Sequence, residues 1–279
     1  MEILTLLFNL SVVLFVIATM LSMGLALNLS QIIDPLKKPL LVADVIVTNF
    51  LLIPLATLAL VSLLPVDEGT RIGLIILSLS AGAPFIPKLA EIAEGDTALA
   101  TAVMLLLMVA TVVILPIGLP MMLGGDIQVD SLSIAKSLVV MMIIPLALGL
   151  WIKVKKEDFA LLWQGRMVKL SNIALLVIIV LLTILNGKDI LEIMGYGLLA
   201  VVLFMLISLV VGYLAGGKFY HKRVVSSLSA GQRNISAGLV VAAQNFDNPE
   251  VTVIIIATSI VGLIILLFAA KKFAPSSSA

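Results

Sequence analysis

The chain of 279 residues has no cysteine and a single histidine. The first absence removes disulfides, thiolate metal sites and cysteine nucleophiles together. There is also no His-Glu-x-x-His, no Gly-x-Ser-x-Gly and no pair of acids deep in an apolar run. A membrane enzyme would therefore lack a nucleophile–base pair, metal-ligand spacing and paired carboxylates. Charge is scarce as well. Asp, Glu, Lys and Arg make up 12% of the residues, against about a quarter in soluble domains. So few charges cannot cover a globular surface. Their balance, a formal +1, supplies no global field for nucleic acid.

What is abundant is apolar. Hydrophobic residues are 62% of the chain and the mean hydropathy is +1.27, which makes this an all-α integral membrane protein whose first partner is the lipid bilayer. A span needs about 20 apolar residues. Such stretches fall near 5–28, 39–64, 71–94, 97–122, 132–154, 168–186, 192–216, 222–246 and 249–271, nine in all within a single domain covering 1–279. Loop chemistry separates them, as in Asp34-Pro35, Gly95-Asp96, Gly124-Gly125-Asp126 and Asp247-Asn248-Pro249. The first run follows Glu2 with no Lys or Arg before it, so it reads as a retained span and not as a signal peptide. Residues 272–279 read as a disordered tail.

Two of the nine stretches are interrupted in their middles, at Leu77-Ser78-Leu79-Ser80-Ala81-Gly82-Ala83-Pro84 and at Ser226-Ser227-Leu228-Ser229-Ala230-Gly231-Gln232-Arg233-Asn234. A broken membrane helix leaves backbone N–H and C=O groups unpaired, which is tolerated only where protein or a polar cavity satisfies them. Two breaks at matching places in two halves point to the binding site of a secondary transporter. A shift of 149 residues lays Gly82 on Gly231. The broken spans are the third and the eighth, an odd separation, so they cross in opposite senses. That is an inverted repeat, about 1–122 and about 132–271, with one helix lacking a mate.

Lys and Arg set the orientation. With the N-terminus outside and the C-terminus cytoplasmic, Lys37, Lys38, Lys88, Lys153, Lys155, Lys156, Arg166, Lys169, Lys218, Lys222, Arg223, Lys271 and Lys272 share the inner side of a cell (inner) membrane. Only Arg71, Lys136 and Lys188 fall outside.

Local motifs then carry a resemblance. Met23-Gly24-Leu25-Ala26-Leu27 closes the first span, Asn49-Phe50 is followed by Pro54, Gly82 through Asp96 spans a Gly-rich break and its turn, and Gly231-Gln232-Arg233-Asn234 runs on to Phe246. In these features the chain resembles the bile acid:sodium symporter family in its nine-span form. The resemblance implies a panel domain and a core domain, with the two broken helices crossing in the core. It also implies alternating-access transport of small organic anions, commonly coupled to sodium, and no other cofactor. Bile acids, keto acids and pantothenate precursors all fall within the implied class. An auxin-efflux-like carrier has the same helical plan, and a channel is the reading from another class. Nothing in the sequence fixes an oligomeric state.

The candidate transport residues are Asn49, Ser80, Gly82, Ser229, Gly231, Gln232, Arg233, Asn234 and Ser236. Arg233 stands out because a central membrane Arg costs at least about 2.5–3.5 kcal/mol and needs a partner or a polar cavity. It meets an anionic substrate, stands in for a bound cation, or is simply held by carbonyls freed at the break. By the resemblance, the family's acidic residue before the second break and the Gln after it fall on Ser229 and Arg233. The other sodium ligands fall near Ile86, Pro87, Ala100 and Met104. A guanidinium offers donors and no acceptor. Much of the sodium site is thus missing, and the charge of Arg233 takes the place of the ion; a sodium symporter with a rearranged site is the alternative. Asn234 and Ser236 open the second half-helix, where N–H groups favour a carboxylate or sulfonate. Asn9 and Asn172 read as interhelical glue. Asp44 reads as a partner of Lys37 or Lys38.

Overall fold

A computed structural model describes residues 2–28, 39–124, 130–193 and 195–274. Among these residues it is all helix, with no strand. We number the helices α1 (Glu2–Ala26), α2 (Pro39–Leu63), α3 (Glu68–Leu79), α4 (Ile86–Ile92), α5 (Thr97–Leu123), α6 (Ser131–Lys155), α7 (Glu157–Ile193), α8 (Tyr196–Ala215), α9 (Tyr220–Gly231), α10 (Ile235–Asn245) and α11 (Pro249–Phe273). Seven of them, α1, α2, α5, α6, α7, α8 and α11, are long and apolar enough to cross a membrane. The remaining four form two interrupted pairs, α3/α4 and α9/α10, at the places where the sequence breaks.

Acids and amides just before the helix starts act as N-caps. Asp67 accepts from the Thr70 N–H at 2.6 Å, Asp96 from Leu99 at 2.9 Å, Asp130 from Leu132 at 2.9 Å, and Asn248 from Glu250 at 2.9 Å. Each satisfies an orphan donor that lipid would leave bare. Within α2 and α6 the ladder slips to a π turn, over Thr48–Leu52 and Val139–Ile143. The Ile53 N–H bonds to Thr48 and the Ile144 N–H to Val139, and Pro54 or Pro145 follows at once. Proline has no N–H to continue the regular ladder, and the widened turn absorbs that loss.

Two boundaries differ from the sequence reading. The span placed at 168–186 begins at Glu157, separated from α6 by Lys156 alone. Arg166 lies on this helix with its guanidinium over the Trp163 ring at 5.0 Å. Charged side chains with apolar stems hide such a helical turn from a hydropathy count. At the other end, α11 runs through Phe273, so Lys272 is helical; residues 275–279 lie outside the described residues, as do Lys37 and Lys38.

The helices sort into two groups by packing. α1 lies mainly against α6 and α7, while α2, α5, α8 and α11 gather around the two broken pairs. Backbone contact fixes the first group where Gly24 of α1 meets Gly149 of α6. A Cβ added at Gly149 would stand 2.6 Å from the Leu21 carbonyl and 2.9 Å from the Gly24 Cα. In the second group, Gly212 of α8 admits the α9 backbone, and the Ser227 hydroxyl donates to Leu209 of α8 at 2.8 Å. Small residues at such crossings let helices approach where lipid gives no hydrophobic drive to pack. Leu10, Leu148, Leu176, Ile264 and Phe268 point outward, as lipid contact requires.

Two glycine substitutions of opposite sign test this packing. Gly149→Ala is expected to destabilise the protein by about 1–3 kcal/mol through overpacking at the α1–α6 crossing. Gly165→Ala, in α7 with nothing near its Cβ, should instead stabilise by about 0.5–1 kcal/mol. Reversible unfolding in mixed detergent micelles reads both. Equal responses would overturn the backbone contact.

Candidate functional site

The first break begins where α3 ends at Leu79. Ser80 turns away from the helix at φ −96° and ψ 86°, and Gly82 takes φ +80°. That left-handed conformation favours glycine. Space demands glycine too, because a Cβ on Gly82 would fall on the α5 backbone at Leu107 and Met108. The second break is narrower than the sequence reading had it. Helix α9 continues through Ser226, Ser227 and Ser229 to Gly231, and only Gln232, Arg233 and Asn234 separate it from α10. Two of these serines donate their hydroxyls to carbonyls, Ser227 across to α8 and Ser229 within α9. Ser229 bonds to the Val225 carbonyl at 2.6 Å, and on the first side Ser80 bonds to Ile76 at 2.8 Å.

The two breaks, about half a chain apart, lie against each other. The Asn234 N–H donates to the Ser80 carbonyl at 2.9 Å, and the Asn234 Nδ2 donates to the Gly82 carbonyl at 3.1 Å. Its Oδ1 accepts from the Ala237 N–H at 3.1 Å and so caps α10. One side chain and its backbone thus tie both breaks together. Arg233 adds a long bond, 3.4 Å, from Nη1 to the Ser78 carbonyl. Between these contacts, the Ala81 N–H and C=O are both taken by the Thr111 hydroxyl of α5, each at 2.9 Å. The carbonyls of Ser78, Ser80, Ala81 and Gly82 therefore all have protein donors.

Arg233 is 2% exposed, and among the described residues it forms no ion pair. Its guanidinium lies 6.0 Å from the Phe204 ring centroid, while Nε and Nη2 are buried without a protein partner. The Gln232 Oε1 is buried and unpartnered beside it. A buried charge with open donors is costly, so this point of the molecule is set up to receive an acceptor.

Two cavities of about 420 Å³ and 500 Å³ share a wall made of Phe85, Asn172, Leu175, Gln232, Arg233, Ile235 and Ser259. The first opens between α1, α7 and the two breaks, and Asn234 and Ser236 also line it. A third, about 110 Å³, lies between α2, α5, α8 and α9 and holds Asp44, Asn49, Lys222, Ser226 and Ser229. Asn49 sits in the π turn of α2, donates to Val45 at 3.1 Å, and leaves its buried Oδ1 unpartnered.

The structure thus places Ser80, Gly82, Gln232, Arg233, Asn234 and Ser236 at one locus, and Asn49 and Ser229 in a separate small cavity. Gly231 ends α9, where a Cβ would stand 2.8 Å from a Leu266 methyl. Asn172, read as interhelical glue, lines the cavities instead. Asp44 shares its cavity with Lys222. At the positions aligned with sodium ligands, Ile86, Ala100 and Met104 are buried and apolar. Sequence reasoning missed Thr111, although it is the one hydroxyl between residues 102 and 123. It also passed over Thr19, Ser22, Ser171 and Ser259, whose spacing on three separate helices gives no local sign that they meet.

A family model described as the Sodium Bile acid symporter family matches residues 13–193, a stretch that takes in the first break and stops short of the second. A curated relative, named a probable sodium/metabolite cotransporter of the chloroplast, BASS3, from Arabidopsis thaliana, is 23% identical over 195 residues. The match covers 70% of this chain and 45% of that protein, so the chain spans less than half the length of the relative.

Thr111→Val should cost about 2–5 kcal/mol, because it strands both an N–H and a C=O at the first break. Thr111→Ser keeps both bonds and should lose less than 1 kcal/mol. Unfolding midpoints of the two variants compare them directly; equal losses would mean that packing of the threonine methyl, and not its hydroxyl, supports the break.

Proposed function

We propose that this chain, which belongs to the sodium bile acid symporter family, carries small organic anions across the cell membrane by alternating access, with the Arg233 charge in place of a coupling sodium ion. The observation that carries this reading is the filling of the first break. Donors from Arg233, Asn234 and Thr111 occupy the carbonyls of Ser78, Ser80, Ala81 and Gly82, where a sodium ion would need open oxygens. The same arginine keeps two donors free on the wall between the two larger cavities, which fits an anionic substrate.

Mechanistically, the group formed by α1, α6 and α7 acts as a panel, and the helices around the breaks act as a core. The nine-span inverted repeat, the N-terminus outside and the cytoplasmic C-terminus belong to this reading. Rocking of the core against the panel would expose the cavity between α1, α7 and the breaks to one side and then the other. Arg233 would bind the anion, Asn234 would hold the breaks together through the motion, and Gly82 would keep the first break close to α5.

A second reading keeps sodium. It is favoured by the family and by the name of the plant relative, and it would place the ion in the small cavity near the free Asn49 Oδ1 and Ser229.

Thermal unfolding in sodium chloride and in choline chloride at equal ionic strength separates the two. The arginine reading expects equal midpoints in both salts. It also expects a rise with at least one anion from a set of three- to six-carbon monocarboxylates, and loss of that rise in Arg233→Gln. At a hundredfold excess over Kd the bound anion should add about 2.7 kcal/mol. A sodium-specific rise would select the second reading. In proteoliposomes a carrier shows saturable uptake accelerated by unlabelled anion inside, whereas flux that does not saturate would identify a channel.

A further inference from the structure

Basic residues lie at the ends of both helix groups, yet only some of them are neutralised. Lys88 of α4 pairs with Glu91 at 2.9 Å, and Lys153 of α6 pairs with Glu157 of α7 at 2.7 Å. The adjoining ends of α8, α9 and α11 have no such relief. Lys218, His221, Lys222, Arg223, Lys271 and Lys272 fall there, and the chain holds no acid between Glu192 and Asp247 or after Glu250. Among the described residues none of these six forms an ion pair, although Asp44 of α2 shares a cavity with Lys222. Lys222 also stands in the first turn of α9, where a positive charge opposes the helix dipole.

Aromatic rings draw the three ends together. Tyr213 of α8 stacks on Phe273 of α11 at 5.7 Å, and the Tyr220 hydroxyl of α9 donates to the Phe273 carbonyl at 2.7 Å. The Arg223 guanidinium lies 4.2 Å from the Tyr213 ring centroid and uses only Nε, which donates to the Tyr213 carbonyl at 3.2 Å. Its two terminal nitrogens keep the planar fork that suits a phosphate. On α11, Ile260, Ile264 and Phe268 precede Lys272 at steps of four residues, and all are exposed. One apolar stripe thus ends in an ammonium group, with the Lys272 Nζ 5.7 Å from the Phe268 ring.

We propose that the ends of α8, α9 and α11 bind an anionic phospholipid, its phosphate held by Arg223 and Lys272 in the field of Lys222 and its chains laid along the α11 stripe. Charge complementarity and the stripe together select this occupant. A free phosphate would meet the cations and leave the stripe bare. A zwitterionic lipid would bring its own cation to a place that already has an excess of them. The bound lipid would bridge α9 to α11, so the composition of the bilayer would act on the half-helix that carries the second break. This site lies apart from Arg233 and does not depend on what that residue binds.

Thermal-shift titrations of the full chain in mixed micelles test the proposal with three probes: phosphatidylglycerol, phosphatidylcholine with the same acyl chains, and glycerol 1-phosphate. Phosphatidylglycerol should bind at least about tenfold more tightly than phosphatidylcholine, and glycerol 1-phosphate should leave the midpoint unmoved. Lys272→Gln and Lys222→Gln should each weaken phosphatidylglycerol by about fivefold. Lys155→Gln, the same change of charge at the end of α6, should leave that affinity as it was. All three lysines are exposed, so lipid-free midpoints should match the parent's and misfolding does not mask the result. Equal binding of the two lipids would overturn the proposal. So would an equal loss in Lys155→Gln and Lys272→Gln, which would mean a diffuse attraction to every basic helix end. A shift with glycerol 1-phosphate as large as that with phosphatidylglycerol would overturn the lipid assignment in favour of a phosphate site.

Discussion

The whole arrangement depends on one constraint: backbone N–H and C=O groups within a bilayer must find partners inside the protein. Continuous helices meet it automatically. The two breaks do not, and the structure answers by setting them against each other. Asn234 bridges to Ser80 and Gly82, Arg233 reaches Ser78, and Thr111 clips Ala81 from α5. Each break thus supplies what the other lacks. A charge in mid-span becomes tolerable at the same point, since the opened carbonyls give a guanidinium somewhere to dock.

The same constraint governs the hydroxyls. In apolar surroundings a serine or threonine on a helix donates to its own preceding turn, as Ser80, Ser229, Thr57 and Thr258 do. The bond spares each helix a buried unsatisfied donor. It also turns every such residue that faces a cavity into an acceptor. Thr19, Ser22, Ser171 and Ser259, which line the cavity between α1, α7 and the breaks, are bonded to their own helices in this way.

Much of the fold was legible in the sequence because hydropathy and loop chemistry report directly on it. The breaks at Ser80–Pro84 and Gln232–Asn234 showed as interruptions by small and polar residues, and Asp96 and Asn248 appeared as punctuation that the structure turns into caps. Where reading by hydropathy went astray, charge was the reason: Glu157 through Met167 looked like a loop and is the first part of α7. The extent of the second break was also misjudged. Ser226, Ser227 and Ser229 resemble loop residues by type, yet all three are helical; Ser229 donates to Val225 within α9, and Ser227 to Leu209 of α8, a partner that the sequence does not reveal.

The sequence by itself determined that this is a helical membrane protein, where two of its helices are interrupted, and that a lone arginine sits at one interruption, since these depend on residue type and local order. Only the tertiary structure decided that Asn234 and not Ser236 joins the breaks, that Thr111 satisfies Ala81, and that Asn49 and Ser229 share a small cavity apart from Arg233. Those are contacts between segments dozens to more than a hundred residues apart. The direction in which a side chain points across such a separation is set by packing, and no local pattern encodes it.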